Sequence, residues 1–134
     1  MPKEIITSAT APTTGFTDNA TSSPLAQGIK WGNMMFVSGQ GPLNSETKVV
    51  VSEDIQEQTR QTLTNLLGVL AAAGATFANV VNMRVCLRDP GDFPKFNEAF
   101  TEFMQGEKVT RTCIGGTPHR TGVNVEIDCV AMFD

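Results

Sequence analysis

The sequence predicts an α+β domain in which two helices pack on one face of a mixed β-sheet. The prediction rests first on the spacing of the apolar residues. In two segments they recur about once per helical turn, and in the segments around these they alternate with polar residues. It rests also on the order of the predicted elements, which is strands, a helix, a strand, a second helix and two more strands. Such interleaving is typical of a sheet covered on one side.

The size and composition of the chain fit a single hydrophobic core. It has 134 residues, of which 40% are hydrophobic and 18% charged. These proportions are too apolar for a disordered chain, and no apolar run approaches the roughly 20 residues that span a bilayer. We therefore expect one domain over residues 1–134, with an extended Ser/Thr-rich segment at 1–23 before the fold begins. That segment lacks the pattern of a targeting signal, so we expect a cytoplasmic protein without a membrane partner.

The first two strands are predicted to form a hairpin. Residues 34–37 are a short apolar run bounded by turn residues, and residues 27–31 can pair with it across Gly32 and Asn33. From residue 80 to 88 apolar and polar residues alternate, with Val81, Met83, Val85 and Leu87 on the apolar face. Residues 109–115 and 123–132 are predicted as the last two strands.

Two helices are predicted from capping residues and apolar spacing. Ser52 is the expected N-cap of the first, which ends at Gly74. Asp92 is the expected N-cap of the second, which ends near Gly106. The second helix carries an apolar stripe of Phe96, Phe100 and Phe103, a spacing typical of packing against a sheet.

Several classes of function are disfavoured by composition. The formal net charge of −4 disfavours a partner bound through its phosphates, so we expect no nucleic acid. Three widely spaced cysteines and a single histidine do not furnish a disulfide framework, a zinc site or a catalytic triad. His119 lies in a run rich in Gly, Pro and Thr, and is expected to be exposed.

Arg111 is the residue that most needs an explanation. Alternation along its strand places Arg111 and Cys113 on one face of an otherwise apolar segment. A permanently charged guanidinium in such a setting needs an anion. One possibility is an internal salt bridge with Glu126 or Asp128, if the last strand lies beside this one. The other is a ligand carboxylate held by Arg111, with Glu126 as a general base for water.

Two other segments have weaker chemical signals. Cys113 is predicted to be a small apolar residue that packs in the core, in preference to a nucleophile. The turn at residues 38–41 has glycines at Gly39 and Gly41 that allow backbone N–H groups to approach a ligand, but it lacks the rest of a dinucleotide-binding motif.

Taken together, these residues resemble the RidA (YjgF) family of reactive-intermediate deaminases from about residue 23 onward. The resemblance is carried by an ordered set of short motifs. They are Gln27-Gly28, Val37-Ser38-Gly39-Gln40, Asp92-Phe93 with Asn97, Arg111-Thr112-Cys113 and Val125-Glu126-Ile127.

The resemblance implies a chorismate-mutase-like (YjgF-like) fold with a six-stranded mixed sheet, a homotrimer, and ligand clefts between subunits. It implies hydrolysis of reactive enamine and imine acids such as 2-aminoacrylate to keto acids and ammonia, without a metal or an organic cofactor. By the same resemblance Arg111 holds the small-molecule carboxylate substrate and Glu126 positions the attacking water. The implied cleft-lining residues are Cys113, Ser38, Gly39, Leu25 and Asn97.

The chain departs from the family pattern at one position. Active members usually have a tyrosine where this chain has Leu25, and the chain contains no tyrosine. A leucine cannot supply a hydroxyl group. The sequence therefore leaves open a second function, a trimeric protein that binds or senses a carboxylate metabolite without turning it over.

Overall fold

The computed structural model describes residues 2–12 and 24–134, which form two helices and one six-stranded sheet. The strands lie in the order β1-β2-β3-β6-β4-β5, and β4 and β5 are parallel while the other neighbours are antiparallel. The predicted mixed sheet is therefore confirmed. In chain order the elements are β1 (Glu4–Ile6), β2 (Gly28–Trp31), β3 (Met34–Gln40), α1 (Ile55–Ala72), β4 (Val80–Leu87), α2 (Phe93–Met104), β5 (Thr110–Gly115) and β6 (Val125–Met132).

The fold begins earlier than the sequence predicted. The edge strand β1 lies within the segment that we expected to precede the domain, and it pairs with β2. Buried Gln27 attaches this segment further, since its Oε1 accepts from the Ser8 amide at 2.6 Å and its Nε2 donates to the carbonyls of Ala11 and Pro12 at 3.3 and 2.9 Å. A three-residue strand is too short for alternation to reveal. Most of the remaining segment, residues 13–23, lies outside the described residues.

The predicted hairpin is confirmed. Trp31 pairs with Met34 across a tight turn in which Gly32 has a φ of 60°, a conformation that glycine adopts without strain. The register of β3 against β6 shifts between Val37 and Gln40. This irregularity lies at the predicted Ser38-Gly39 turn, which is thus part of a strand.

The first helix has a different N-cap from the predicted one. Asp54 caps α1 by accepting from the Glu57 amide at 2.8 Å, while Ser52 accepts from the amide of Asp54 itself. Both residue types cap helices, so the sequence alone does not decide between them. At the other end, Gly74 follows the C-cap with a φ of 79° and the Ala75 amide donates to Leu70, a Schellman arrangement.

The strand β4 has the predicted alternation except at Val81. Val80 is buried and Val81 is 45% exposed, because the register against β6 shifts between Val80 and Asn82. From Met83 onward the odd-numbered residues are buried as expected. Placing Val81 on the buried face was therefore wrong, since a bulge reverses the alternation on one side of it.

The second helix begins and ends close to the predicted residues. Asp92 occupies the N-cap position, but its side chain makes no capping hydrogen bond. Phe96 and Phe100 are buried and their rings lie 5.6 Å apart, whereas Phe103 is half-buried against Phe77. The aromatic stripe therefore packs into the core that lies between the helices and one face of the sheet, as predicted.

Among the described residues no helix has the length and apolar character needed to cross a membrane.

Cys129 makes the stability of the fold sensitive to alkaline pH. Its thiol is 2% exposed, and burial, helped by the charge of Asp128, raises its pKa from 9.0 to about 12. The unfolded chain therefore loses this proton first, and stability falls as the pH rises above 9 and continues to fall towards 12. The limiting slope is about 1.4 kcal/mol per pH unit for one proton.

We expect denaturant titrations between these pH values to show this decline, and Cys129→Ala to reduce it. Cys129→Ala is less stable at every pH because the substitution leaves a cavity. The readout is therefore the slope of the free energy of unfolding against pH, and not its absolute value. Half-buried Cys86, replaced by alanine, is the control and should leave most of the slope in place. A slope unchanged in Cys129→Ala would contradict the assignment.

Candidate functional site

Arg111 lies on the edge strand β5, on the face that packs against α2. Its Nη1 donates to Oδ1 of Asn97 at 2.8 Å. Its guanidinium carbon lies 4.8, 5.5 and 5.6 Å from the ring centroids of Phe100, Phe93 and Phe96. Aromatic faces stabilise a cation without neutralising it. In the described part of the chain Arg111 forms no ion pair, so its charge is left uncompensated.

The internal salt bridge that the sequence allowed for Arg111 does not form, because β6 is not its neighbour. β4 lies between β5 and β6, and Asp128 of β6 is paired with Arg84 of β4. The two side chains make a bidentate contact, with Nε to Oδ1 at 3.0 Å and Nη2 to Oδ2 at 3.1 Å. Asp128, one of the two carboxylates that could have paired with Arg111, thus pairs with Arg84.

Cys113 shares the helix-facing side of β5 with Arg111. It is half-buried, and burial raises the pKa of its thiol while the positive charge of Arg111 acts in the opposite direction. A raised pKa keeps the thiol protonated at neutral pH, which is the wrong direction for a nucleophile. The structure thus favours the apolar-filler interpretation.

Glu126 lies on the other face of the sheet. It is opposite Cys86 of β4, and Cys86 is in turn opposite Ile114 of β5, which is 59% exposed. Burial, and then the negative charge of Glu126, raise the pKa of the Cys86 thiol. In a single chain, therefore, the two residues predicted to act together are separated by β4 and face opposite sides.

Gly39 provides the space that the Glu126 side chain occupies. A Cβ atom added at Gly39 would lie 3.0 Å from Oε1 and 3.1 Å from Cδ of Glu126, a tight contact that the carboxylate could relieve only by shifting a few tenths of an ångström. Both residues line a cavity of about 50 Å³. A cavity of this size with polar walls can hold an ordered water molecule. The absence of a side chain at Gly39 thus leaves room for the Glu126 carboxylate, while the predicted approach of this segment to a ligand stays a prediction.

Polar residues of α1 hold the backbone around this cavity. Asn65 is 2% exposed and donates to the carbonyls of Gly41 and Leu43, both at 2.9 Å. Gln58 is fully buried, donates to the Gly122 carbonyl at 2.9 Å and accepts from the Asn124 amide at 2.8 Å. Neither residue was predicted from the sequence to lie at the site. Their only signal is the spacing of seven positions, which places them on one face of a helix.

Ser38 and Leu25 line a separate groove of about 490 Å³ on the Glu126 side of the sheet. The Ser38 hydroxyl donates to the Ala26 carbonyl at 2.6 Å, and Leu25 is 56% exposed. Gly39 lines both the groove and the Glu126 cavity. The predicted cleft residues therefore form two groups, Arg111 with Asn97 and Cys113 on one face, and Glu126 with Gly39, Ser38 and Leu25 on the other.

The described residues contain no group of three or more acidic, histidine or cysteine side chains placed to bind a metal ion. His119 is exposed, as predicted, and it lines the Glu126 cavity together with Arg120.

Residues 17–133 match the sequence profile of the family described as endoribonuclease L-PSP. The chain belongs to this family, which is the RidA (YjgF) family. A RutC family protein of Pyrococcus horikoshii is 37% identical over 118 residues, which cover 87% of this chain and 94% of the relative. A Dermatophagoides farinae protein named 2-iminobutanoate/2-iminopropanoate deaminase is 29% identical over 133 residues, 99% of this chain and 98% of the relative.

Solved structures of the family have the same fold. The crystal structure of Escherichia coli TdcF with bound serine matches this chain with a TM-score of 0.86 at 29% identity, covering 98% of this chain and 99% of that one. A structure from Thermotoga maritima matches with a TM-score of 0.87 at 28% identity, covering 98% of both chains. The YjgF-like fold expected from the sequence motifs is confirmed.

Proposed function

We propose that this chain is a deaminase that hydrolyses reactive 2-enamine and 2-imine acids, of the 2-aminoacrylate type, to keto acids and ammonia. The observation that carries the proposal is Arg111, a cation held over aromatic rings with an amide partner and no acid among the described residues. Such a guanidinium can bind a carboxylate in a bidentate manner. Membership of the family, and the deaminase name of the mite relative, support the same reaction.

Few catalytic groups are needed for this chemistry. Arg111 binds the carboxylate and orients the neighbouring C=N carbon, which is already electrophilic. Glu126 accepts a proton from a water molecule in its cavity as the water oxygen forms a bond to that carbon. The imine nitrogen takes up a proton from solvent in this step, and Glu126 then returns its proton to the amino group of the carbinolamine. The C–N bond breaks as the hydroxyl group loses its proton and becomes the carbonyl, which releases ammonia and leaves the keto acid. An enamine follows the same route after a proton moves from its nitrogen to its terminal carbon. Water is the only co-reactant.

The reaction requires that Arg111 of one subunit meet Glu126 of another, since they lie on opposite faces of their own sheet. Self-association is supported by the surface on the Glu126 side. Exposed apolar side chains there include Phe36, opposite Val130, and Ile114, with exposed fractions of 49% for Phe36 and 59% for Ile114. Apolar surface of this kind is typical of an interface. The proposed assembly is a homotrimer with its ligand clefts between subunits.

Arg111→Ala should abolish most of the activity. We expect kcat/KM for 2-aminoacrylate, generated in situ by a dehydratase, to fall about 100-fold or more, because the substrate carboxylate loses its charged partner. Keto-acid formation is the readout, and the exposed Arg60, changed to alanine, is the matched control. Equal rates for the wild type and Arg111→Ala would contradict the proposal. Binding of keto acids by calorimetry without turnover of any imine would instead select the non-catalytic function.

Gly39→Ala should displace Glu126 without deleting it. We expect kcat to fall by about tenfold to 100-fold, because a small misplacement of a catalytic group is costly. Gly41→Ala is the matched control, since a Cβ there meets Val123 at 3.7 Å, an ordinary contact. Both variants should fold, as thermal unfolding can verify. Full activity in Gly39→Ala would remove Glu126 from the mechanism.

Phe36→Lys should weaken the assembly by placing a charge in the apolar interface. We expect sedimentation to give the wild type a mass three times that of the 14.4-kDa chain, and the variant a smaller one. Val49 is 62% exposed and lies outside the six strands, so Val49→Lys is the matched control and should stay assembled. A monomeric wild type would contradict the shared cleft.

A further inference from the structure

A second arginine lies at the cavity that contains Glu126. Arg120, in the connection between β5 and β6, lines this cavity together with Gly39 and Glu126. It is half-buried, and its guanidinium has no ion pair or hydrogen bond to any described residue. Glu126 and Arg120 thus face one small space without pairing with each other. An unpaired arginine in such a position is available to an anion that enters the cavity.

The backbone on both sides of Arg120 is fixed. Pro118 is buried before it, and after it the Val123 amide donates to the Arg120 carbonyl at 3.2 Å. Gln58 of α1 then binds the Gly122 carbonyl and the Asn124 amide, at 2.9 and 2.8 Å. A charge carried by a fixed backbone binds with less loss of conformational entropy than one on a mobile loop.

We propose that Arg120 binds a second acidic group on the substrate, so that the preferred imines are those of dicarboxylic acids. The inference rests on the proposed function, in which Arg111 holds the carboxylate next to the C=N carbon. Arg120 lies on the Glu126 side of the same cleft and binds the acidic group at the far end of the substrate's side chain. Leu25, exposed in the neighbouring groove, offers an apolar contact to the carbon atoms between the two acids.

The charges lining the cavity agree with this substrate class. Glu126 is its acidic residue and Arg120 its permanent cation, with His119 beside them. A monocarboxylate held by Arg111 would leave Arg120 unpaired at the Glu126 cavity, whereas a dicarboxylate would pair both guanidinium groups.

The test compares two imines that differ in the second acid. The imines of 2-oxobutanoate and 2-oxoglutarate are released in situ by amino-acid oxidases, and their hydrolysis is followed by competition with semicarbazide. We expect Arg120→Gln to raise KM for the dicarboxylate imine about tenfold or more, and to change KM for the monocarboxylate imine far less. Arg120→Lys should restore part of the loss. The exposed Arg60, changed to glutamine, is the matched control and should have no effect.

Direct binding separates this inference from the proposed function. Calorimetry with 2-oxoglutarate and 2-oxobutanoate, which need no turnover, should show tighter binding of the former to the wild type and equal binding to Arg120→Gln. Hydrolysis of both imines with no preference for the dicarboxylate, or an equal effect of Arg120→Gln on both, would overturn the role of Arg120 and leave the deaminase intact. Absence of hydrolysis with preserved dicarboxylate selectivity in calorimetry would overturn the deaminase and keep the second anion site.

Discussion

The position of β4 between β6 and β5 determines where every charged side chain of the candidate site lies. β4 is antiparallel to β6 and parallel to β5, and α2 makes the crossover between the two parallel strands. A helix on one face is the usual connection of a parallel pair. With this arrangement β5 is an edge strand and Arg111 packs against α2. Asp128 of β6 lies beside Arg84 of β4 and forms a salt bridge with it. Any shared action of Arg111 and Glu126 then requires a second copy of the chain.

The aromatic stripe of α2 serves both the core and the arginine. Phe96 and Phe100 are buried, yet their rings also lie close to the guanidinium of Arg111. An acidic partner would have stabilised Arg111 and cancelled its charge at the same time. Rings and the neutral amide of Asn97 stabilise it while its charge is retained. The packing of a helix on a sheet thereby holds Arg111 in the position that the proposed function requires of it.

The sequence predicted most elements because their signals are local. Alternation and helical spacing found both helices and five strands, together with the face on which Arg111 and Cys113 lie. The failures have non-local causes. β1 is defined by its partner β2 and not by its own three residues, Val81 is exposed because of a bulge against β6, and the neighbour of β5 depends on the crossover.

Within the candidate site, too, the residues with a local signal could be predicted and those that depend on distant contacts could not. Arg111 and Glu126 stand out by residue type, since charges in apolar strands need a reason. Gln27, Gln58 and Asn65 do not, because a glutamine or asparagine is ordinary on a surface. They are buried here through hydrogen bonds to backbone groups that are 15, 66 and 24 positions away. Only the folded chain brings those groups together, and the one local signal, the seven-residue spacing of Gln58 and Asn65 on a helix face, does not identify these partners.

In the proposed cleft, the absence of tyrosine from the chain would give charged groups a larger part in recognition than neutral hydroxyls. At the position of the family tyrosine, Leu25 offers only carbon, and the hydroxyl proton of nearby Ser38 is already donated to Ala26. The charged groups at the candidate site include Arg111, Glu126 and Arg120. Charged groups act over longer distances than hydroxyls and tolerate more variation in geometry. Under the proposed function, selectivity would therefore depend on the number and spacing of acidic groups on the ligand more than on its shape.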